Sequence, residues 1–198
     1  MLYTGVMAVL DKQGRHRPGW LALLLVLAGA MFATLVWANG FQVLDASTRL
    51  EDNIYWLDAD LEYDFSAPSL DALDSGVPLT IELQIQILRA RTWVWDELVS
   101  EFRQRFRLEY HALARQYLIT NLNNGELATF PSRAAALRFL GRIRRLPLLK
   151  SAQLDPTEKY HGQLRTRLDI EALPAPLRPV AYLSPDWRLT SEWYRWPL

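Results

Sequence analysis

Apolar and polar side chains alternate along most of the chain beyond residue 40. In YWLDADLEYDF, Tyr55, Leu57, Ala59, Leu61, Tyr63 and Phe65 fall on one side of an extended backbone. Trp56, Asp58, Asp60, Glu62 and Asp64 fall on the other. Successive side chains of a strand point to opposite faces, so this run predicts a strand with one buried and one solvated face. FQVLDASTRL predicts its hairpin partner, with the turn at Glu51-Asp52-Asn53. APSLDALDSG carries turn and short-helix signals and ends on Gly.

The alternation resumes in Val77–Leu88, with Ile81, Leu83, Ile85 and Ile87 inward and Glu82, Gln84 and Gln86 outward. After RARTWVWDE a longer run sets Phe102, Gln104, Phe106, Leu108 and Tyr110 against Arg103, Arg105, Arg107, Glu109 and His111. QYLITN and Glu126–Phe130 predict a hairpin across Leu122–Gly125, where Asn-Gly is a strong turn signal. One segment changes period. Ser132 can cap a helix running to about Arg145, with Ala136, Leu140 and Ile143 inward, Arg138, Arg142 and Arg145 as a basic outer stripe, and Pro147 as its stop. Tyr160–Ile170 alternates again, ALPAPLRP is a proline-rich connection, and Val180–Leu183 and Trp187–Tyr194 read as last strands. The expected fold is mainly β, a β-rich α+β sheet or sandwich of about eight or nine antiparallel strands with one amphipathic helix near 132–145.

The first 40 residues obey a different rule. Trp20–Ala38 has no charged side chain, and as a helix it would cover about 28 Å, close to the hydrocarbon thickness of a bilayer. A core helix would show a polar stripe, which this run lacks. Lys12, Arg15, His16 and Arg17 precede it and Arg49 is the first basic residue after it, so the N-terminus is expected in the cytoplasm and the rest beyond the inner membrane, in the periplasm of a Gram-negative cell. Val36 and Ala38 also suit signal-peptide cleavage after Ala38, although the run exceeds the usual signal core of about 7–15 residues. A start at Met7 would shorten the leader. Retained anchor and cleaved signal both stand, and both export the chain beyond about residue 40. The expected organisation is a basic leader over 1–19, an anchor or signal core over 20–38 and one β-rich periplasmic domain over 41–198.

Composition narrows the chemistry. Half of the residues are hydrophobic and eight are Trp, which excludes a disordered chain. The absence of Cys excludes disulfides, zinc-thiolate and iron–sulfur sites and thiol nucleophiles. The formal net charge of zero conceals a segregation: ten acidic residues and one basic between Asn39 and Glu82, against twelve basic and five acidic between Arg89 and Lys150.

Asp58, Asp60, Glu62 and Asp64 are the sharpest cluster, sharing a face at intervals of about 6–7 Å. Calcium needs about six to eight oxygens converging on a point, which a straight strand does not offer. Arg103, Arg105 and Arg107 repeat with the same period, and opposite charges across a sheet stabilise one another, so the two rows are expected on neighbouring strands. Trp93 and Trp95 sit between two long strands, either covering one end of the sheet or forming an exposed aromatic platform. The crowded Trp187, Trp193, Tyr194 and Trp196 predict a C-terminal tail docked on the core. His111 and His161 lie in no metal-spacing motif, and neither a G-x-S-x-G motif, a phosphate-binding glycine loop nor a dinucleotide fingerprint occurs. No cofactor or metal is expected, and no nucleic acid, because outside the cytoplasm the basic stripe Arg138, Arg142, Arg145 meets water or anionic headgroups.

NIYWLDADLEYDFS, GVPLTIELQIQILRARTWVWDE, YHALARQYLITNLNNGE and SEWYRWPL together resemble an uncharacterised family of exported Gram-negative proteins, a domain of unknown function in which some members are labelled proline-rich exported proteins. The resemblance spans Phe41–Leu198. It implies a signal or anchor followed by one envelope domain, no catalytic residue to transfer, and, besides the inner membrane, an envelope sensor kinase of the nitrogen-regulation type or another envelope protein as a partner. The function expected is therefore a non-enzymatic, membrane-tethered or exported accessory domain, with Trp93, Trp95, Arg138, Arg142 and Arg145 as its contact surface. A lipid or hydrophobic-ligand carrier and an envelope hydrolase are the alternatives.

Overall fold

Each strongly alternating run is a strand. The computed structural model describes residues 40–198; the expected leader, hydrophobic helix and cleavage site lie outside the described residues. β1 (Phe41–Glu51) and β2 (Ile54–Tyr63) form the first hairpin. Its turn places both Asp52 and Asn53 at positive φ, 51° and 61°, the conformation two-residue hairpins require and Asn and Asp tolerate. α1 (Ala67–Asp74) comes next, capped by Ser66, whose hydroxyl accepts the Ser69 N–H at 3.4 Å. β3 (Leu79–Arg89), β4 (Glu97–His111), β5 (Gln116–Asn121) and β6 (Leu127–Phe130) succeed it, then α2 (Arg133–Leu140), β7 (Arg142–Lys150), β8 (Tyr160–Leu168), α3 (Arg178–Leu183) and β9 (Tyr194–Pro197).

The strands pair antiparallel in two sheets, a three-stranded one in the order β1-β2-β7 and a six-stranded one in the order β6-β5-β4-β3-β8-β9. The mainly β expectation therefore holds, as nine strands in two antiparallel sheets among the described residues. β1 packs against β8 and β9, and α2 packs against β5, β6 and β2. One layer is thus the six-stranded sheet, and the other is the three-stranded sheet extended by α2. Between them lie Leu57 from β2, Ile81, Ile85 and Ile87 from β3, Leu108 from β4 and Leu164 from β8, each with 0% exposure. Full burial of such a side chain contributes about 1.5–3 kcal/mol. The described residues belong to one compact unit.

The predicted helix over 132–145 is corrected. α2 ends at Leu140, and the chain from Arg142 onward is an edge strand. Gly141 explains the stop. A Cβ there would lie 2.3 Å from the Leu61 carbonyl oxygen, and the Leu61 N–H donates to the Gly141 carbonyl at 2.8 Å. The glycine lets the chain press against β2 and then run along it. Pro147 sits within this strand instead of ending a helix, as an edge position allows. Val180–Leu183 is also corrected from strand to helix: α3 carries Pro179 in its first turn, and only Ala181 of it is buried. Trp187–Tyr194 holds the end of a 3-10 turn over Pro185–Trp187 and a single bridge at Thr190, with the last strand beginning at Tyr194.

The C-terminal tail docks on the core. Trp196 is 5% exposed, covers Gly162 and donates through Nε1 to Thr48 Oγ1 at 3.2 Å. Among the described residues no helix is long and apolar enough to cross a membrane.

Candidate interaction surfaces

Ladder pairing between β3 and β4 runs to Arg89 opposite Glu97, and the chain between them projects beyond the sheet. Arg89 and Arg91 both donate to the Glu97 carboxylate, which staples the base of this loop. The Arg89 guanidinium holds that carboxyl below the usual range, against a desolvation that opposes it. Beyond the staple, Trp93, Val94 and Trp95 are 93%, 63% and 81% exposed. The two indoles therefore form an exposed platform and do not cover the end of the sheet. Leu98 and Val99, also exposed, continue the apolar surface onto β4.

The backbone of β4 is open on the same flank. β5 pairs with β4 from Phe106 to His111. The Asn123 side chain then closes the ladder, accepting the Arg105 N–H at 2.8 Å and donating to the Arg103 carbonyl at 2.9 Å. From Glu97 to Phe102, β4 has β3 on one side and no paired strand on the other among the described residues. An unpaired edge beside exposed indoles is a surface that can take a further strand.

The basic stripe is not one face of one helix. Arg138 lies exposed on α2, whereas Arg142 and Arg145 lie on β7. Arg145 donates to Glu51 at 2.9 Å and stacks over Trp56 at 5.0 Å. The expected pairing of the acidic and basic rows also fails. Asp58, Asp60, Glu62 and Asp64 belong to β2 and its end, in the three-stranded sheet, and Arg103, Arg105 and Arg107 to β4, in the other sheet. Asp58 is bound by Arg49 at 2.6 Å and accepts the Arg145 backbone N–H at 2.9 Å; Asp60 is bound by Arg144 at 2.6 Å. The counter-charges come from the strands on either side of β2. Glu62 and Asp64 stay exposed.

Arg103, Arg105 and Arg107 lie instead on the outer face of the six-stranded sheet with Arg165 and Arg167 from β8 and Arg195 from β9. Glu82, Gln84 and Gln163 sit beneath these arginines at 5%, 6% and 7% exposure. Arg167 binds Glu82 at 2.8 Å, Arg105 binds Asp169 at 2.7 Å and Arg103 binds Glu101 at 2.7 Å. The Glu101 carboxyl is held below the usual range, first by Arg103 and then by Gln84. Arg105 Nε is buried without a partner among the described residues. The alternation marks these residues as a polar face. It does not show that arginines from three strands meet there, because strand order is not written in the period.

His111 is exposed and accepts the Ala114 N–H through Nδ1 at 3.2 Å; His161 Nε2 lies 3.4 Å from Asp96. Among the described residues no Ser hydroxyl is bonded to either histidine, and no group of three or more His, Cys, Asp or Glu is placed to hold a metal. A surface groove of about 390 Å³ lies between β4–β6 and α2, lined by Phe106, Ile119, Leu127 and Phe139 among others.

The segments that build these surfaces match one family. A profile described as a domain of unknown function, DUF4390, matches residues 38–197. The chain belongs to the DUF4390 family. The DUF4390 match covers all nine strands, so the tip, the open β4 edge and the arginine face all fall within it. No curated protein and no solved structure matches the chain.

Proposed function

We propose that this protein is a non-enzymatic accessory domain, tethered to or exported across the inner membrane, that docks on an envelope protein through the Trp93–Trp95 tip. One observation carries the reading. The domain buries Trp187 and Trp196 at 5% exposure yet holds Trp93 and Trp95 at 93% and 81% on a stapled loop. Aromatic side chains on a rigid support are what protein interfaces use as anchors. The position of the tip supports a protein partner. Phe41 opens the domain beside Tyr63, whose hydroxyl is 3.5 Å from Thr166, opposite Leu83 on β3. From Leu83 to Arg89 the strand covers about 20 Å, and the tip lies beyond. Within the domain, the indoles thus lie at the end away from Phe41. An envelope sensor kinase or another envelope protein is the partner class the family resemblance implies.

The test is crosslinking and co-purification of the tagged full-length protein from membranes, beside a Trp93→Ser/Trp95→Ser variant. A partner recovered with the wild type and lost with the variant is expected. Recovery of the same general envelope proteins with both would remove the reading. The groove lined by Phe106 and Phe139 favours a second reading, a carrier of hydrophobic ligands. A Leu127→Arg substitution at its rim would then abolish binding of a fluorescent fatty acid.

A further inference from the structure

The arginines on the outer sheet face differ in what holds them. Arg103, Arg105 and Arg167 are neutralised by Glu101, Asp169 and Glu82. Arg165 and Arg195 are held by neutral amides. Arg165 Nε donates to Gln84 Oε1 at 2.9 Å, and Arg195 Nε donates to Gln163 Oε1 at 3.1 Å. Both glutamines are more than nine-tenths buried and are themselves fixed: Gln84 Nε2 donates to Glu101 at 2.7 Å, and Gln163 Nε2 to Gln86 Oε1 at 2.7 Å. The Arg165 guanidinium also lies 4.5 Å over the Trp193 ring.

Each guanidinium is thus hydrogen-bonded through Nε alone, and neither forms a salt bridge among the described residues. The paired Nη groups of both, a planar fork of donors, are left for an outside acceptor. Arg195 stands opposite Gln163, two residues from Arg165 on the same face, so the forks are diagonal neighbours about 7–8 Å apart at the backbone. Long side chains close that gap readily. A glutamate at either support would have neutralised its arginine, as Glu82 does for Arg167. The amide orients without neutralising.

We propose that Arg165 and Arg195, set by Gln84 and Gln163 and flanked by Trp193, bind a phosphate group. Its tetrahedral oxygens match two neighbouring forks better than the two oxygens of one carboxylate do. The phosphate can come from an anionic lipid headgroup or a soluble phosphate ester. The site lies on a different surface from the Trp93–Trp95 tip and does not depend on a partner there.

The experiment is calorimetric titration of the full-length protein in a nonionic detergent with glycerol phosphate, short-chain phosphatidylglycerol and, as the zwitterionic control, short-chain phosphatidylcholine. The wild type is compared with Gln163→Glu and with Arg165→Gln/Arg195→Gln. Gln163→Glu preserves the size and shape of the side chain, and a carboxylate at position 163 accepts the same Arg195 bond. Affinity for at least one phosphate probe is expected to fall about tenfold or more in both variants, with near-ultraviolet circular dichroism unchanged in Gln163→Glu. Binding of phosphatidylglycerol but not glycerol phosphate would assign the site to lipid, and the reverse to a soluble ester. No binding of either probe to the wild type, or binding that both variants retain, would overturn the proposal.

Discussion

Tyr63 joins the two layers of the sandwich, and its hydroxyl reports on how tightly they close. It stands at the end of β2, is 8% exposed, and its hydroxyl is 3.5 Å from Thr166 Oγ1 on β8. Burial pushes its pKa up to about 12, with the Thr166 contact opposing weakly. The ordinary value is near 10. A folded pKa raised above the unfolded one gives stability that is complete below pH 10 and is lost as pH rises towards 12. At pH 11 the loss from this one group is about 1.4 kcal/mol, and at the limit about 2.7 kcal/mol. Tyr63→Phe removes the ionisation and gives up one long hydrogen bond, worth at most about 1 kcal/mol. The variant should therefore be equal to or slightly less stable than the wild type at pH 8, and the ranking should shift in its favour by about 1.4 kcal/mol at pH 11. Urea midpoints followed by tryptophan fluorescence at the two pH values measure it, and the other tyrosines and lysines cancel in the difference. If the gap between the two proteins did not change between pH 8 and pH 11, the hydroxyl would not be sealed between the sheets, and the two layers would not close over it.

Three more outcomes rest on single contacts. Gly162→Ala places a Cβ 2.3 Å from the Trp196 ring, which cannot retreat without leaving Thr48, so denaturant unfolding should show a loss of about 2–3 kcal/mol; a change below about 0.5 kcal/mol would mean that the tail is not docked. Arg144→Ala removes the 2.6 Å bond to Asp60 and the 2.8 Å bond to the Ala59 carbonyl, but both charged side chains are about half exposed, so the same assay should register less than about 1 kcal/mol. Glu101 is depressed by Arg103 and Gln84, so its stabilisation is present above the ordinary glutamate pKa and disappears as pH falls through the lower folded value; Glu101→Gln should show a flatter decline in urea midpoint below about pH 4.5 than the wild type.

How much of the fold was legible in the sequence depends on which interaction decided each element. The faces of β2 and β3 were legible because a period of two is local: Leu57, Ala59 and Leu61, and Ile81, Leu83, Ile85 and Ile87, point inward as the alternation requires. The β1–β2 and β5–β6 turns were legible because Asp52-Asn53 and Asn124-Gly125 carry their own conformational preferences. β7 was not. Arg138, Arg142 and Arg145 have helical spacing, and what ends the helix is the approach of Gly141 to the Leu61 carbonyl, a contact between positions far apart in the chain. α3 differs for another reason, since a four-residue apolar run fits strand and helix equally.

The candidate sites were legible in composition more than in place. The charge rows are real, yet period alone does not name a neighbour, and Arg49, Arg144 and Arg145 reach the carboxylates first. The glutamine supports of Arg165 and Arg195 are polar residues of β3 and β8. Their meaning needs the strand order β4-β3-β8-β9, which only the folded chain supplies. Trp93 and Trp95 stand out by type and spacing, and their exposure is a tertiary fact.

Docking through the Trp93–Trp95 tip is tested by a photocrosslinking residue at position 94 of the full-length protein in living cells. Position 113 is the control, because Leu113 is 95% exposed on the separate β4–β5 hairpin. A discrete higher-mass adduct is expected from position 94 and is absent from position 113. No adduct from position 94, or the same adducts from both positions, would contradict it.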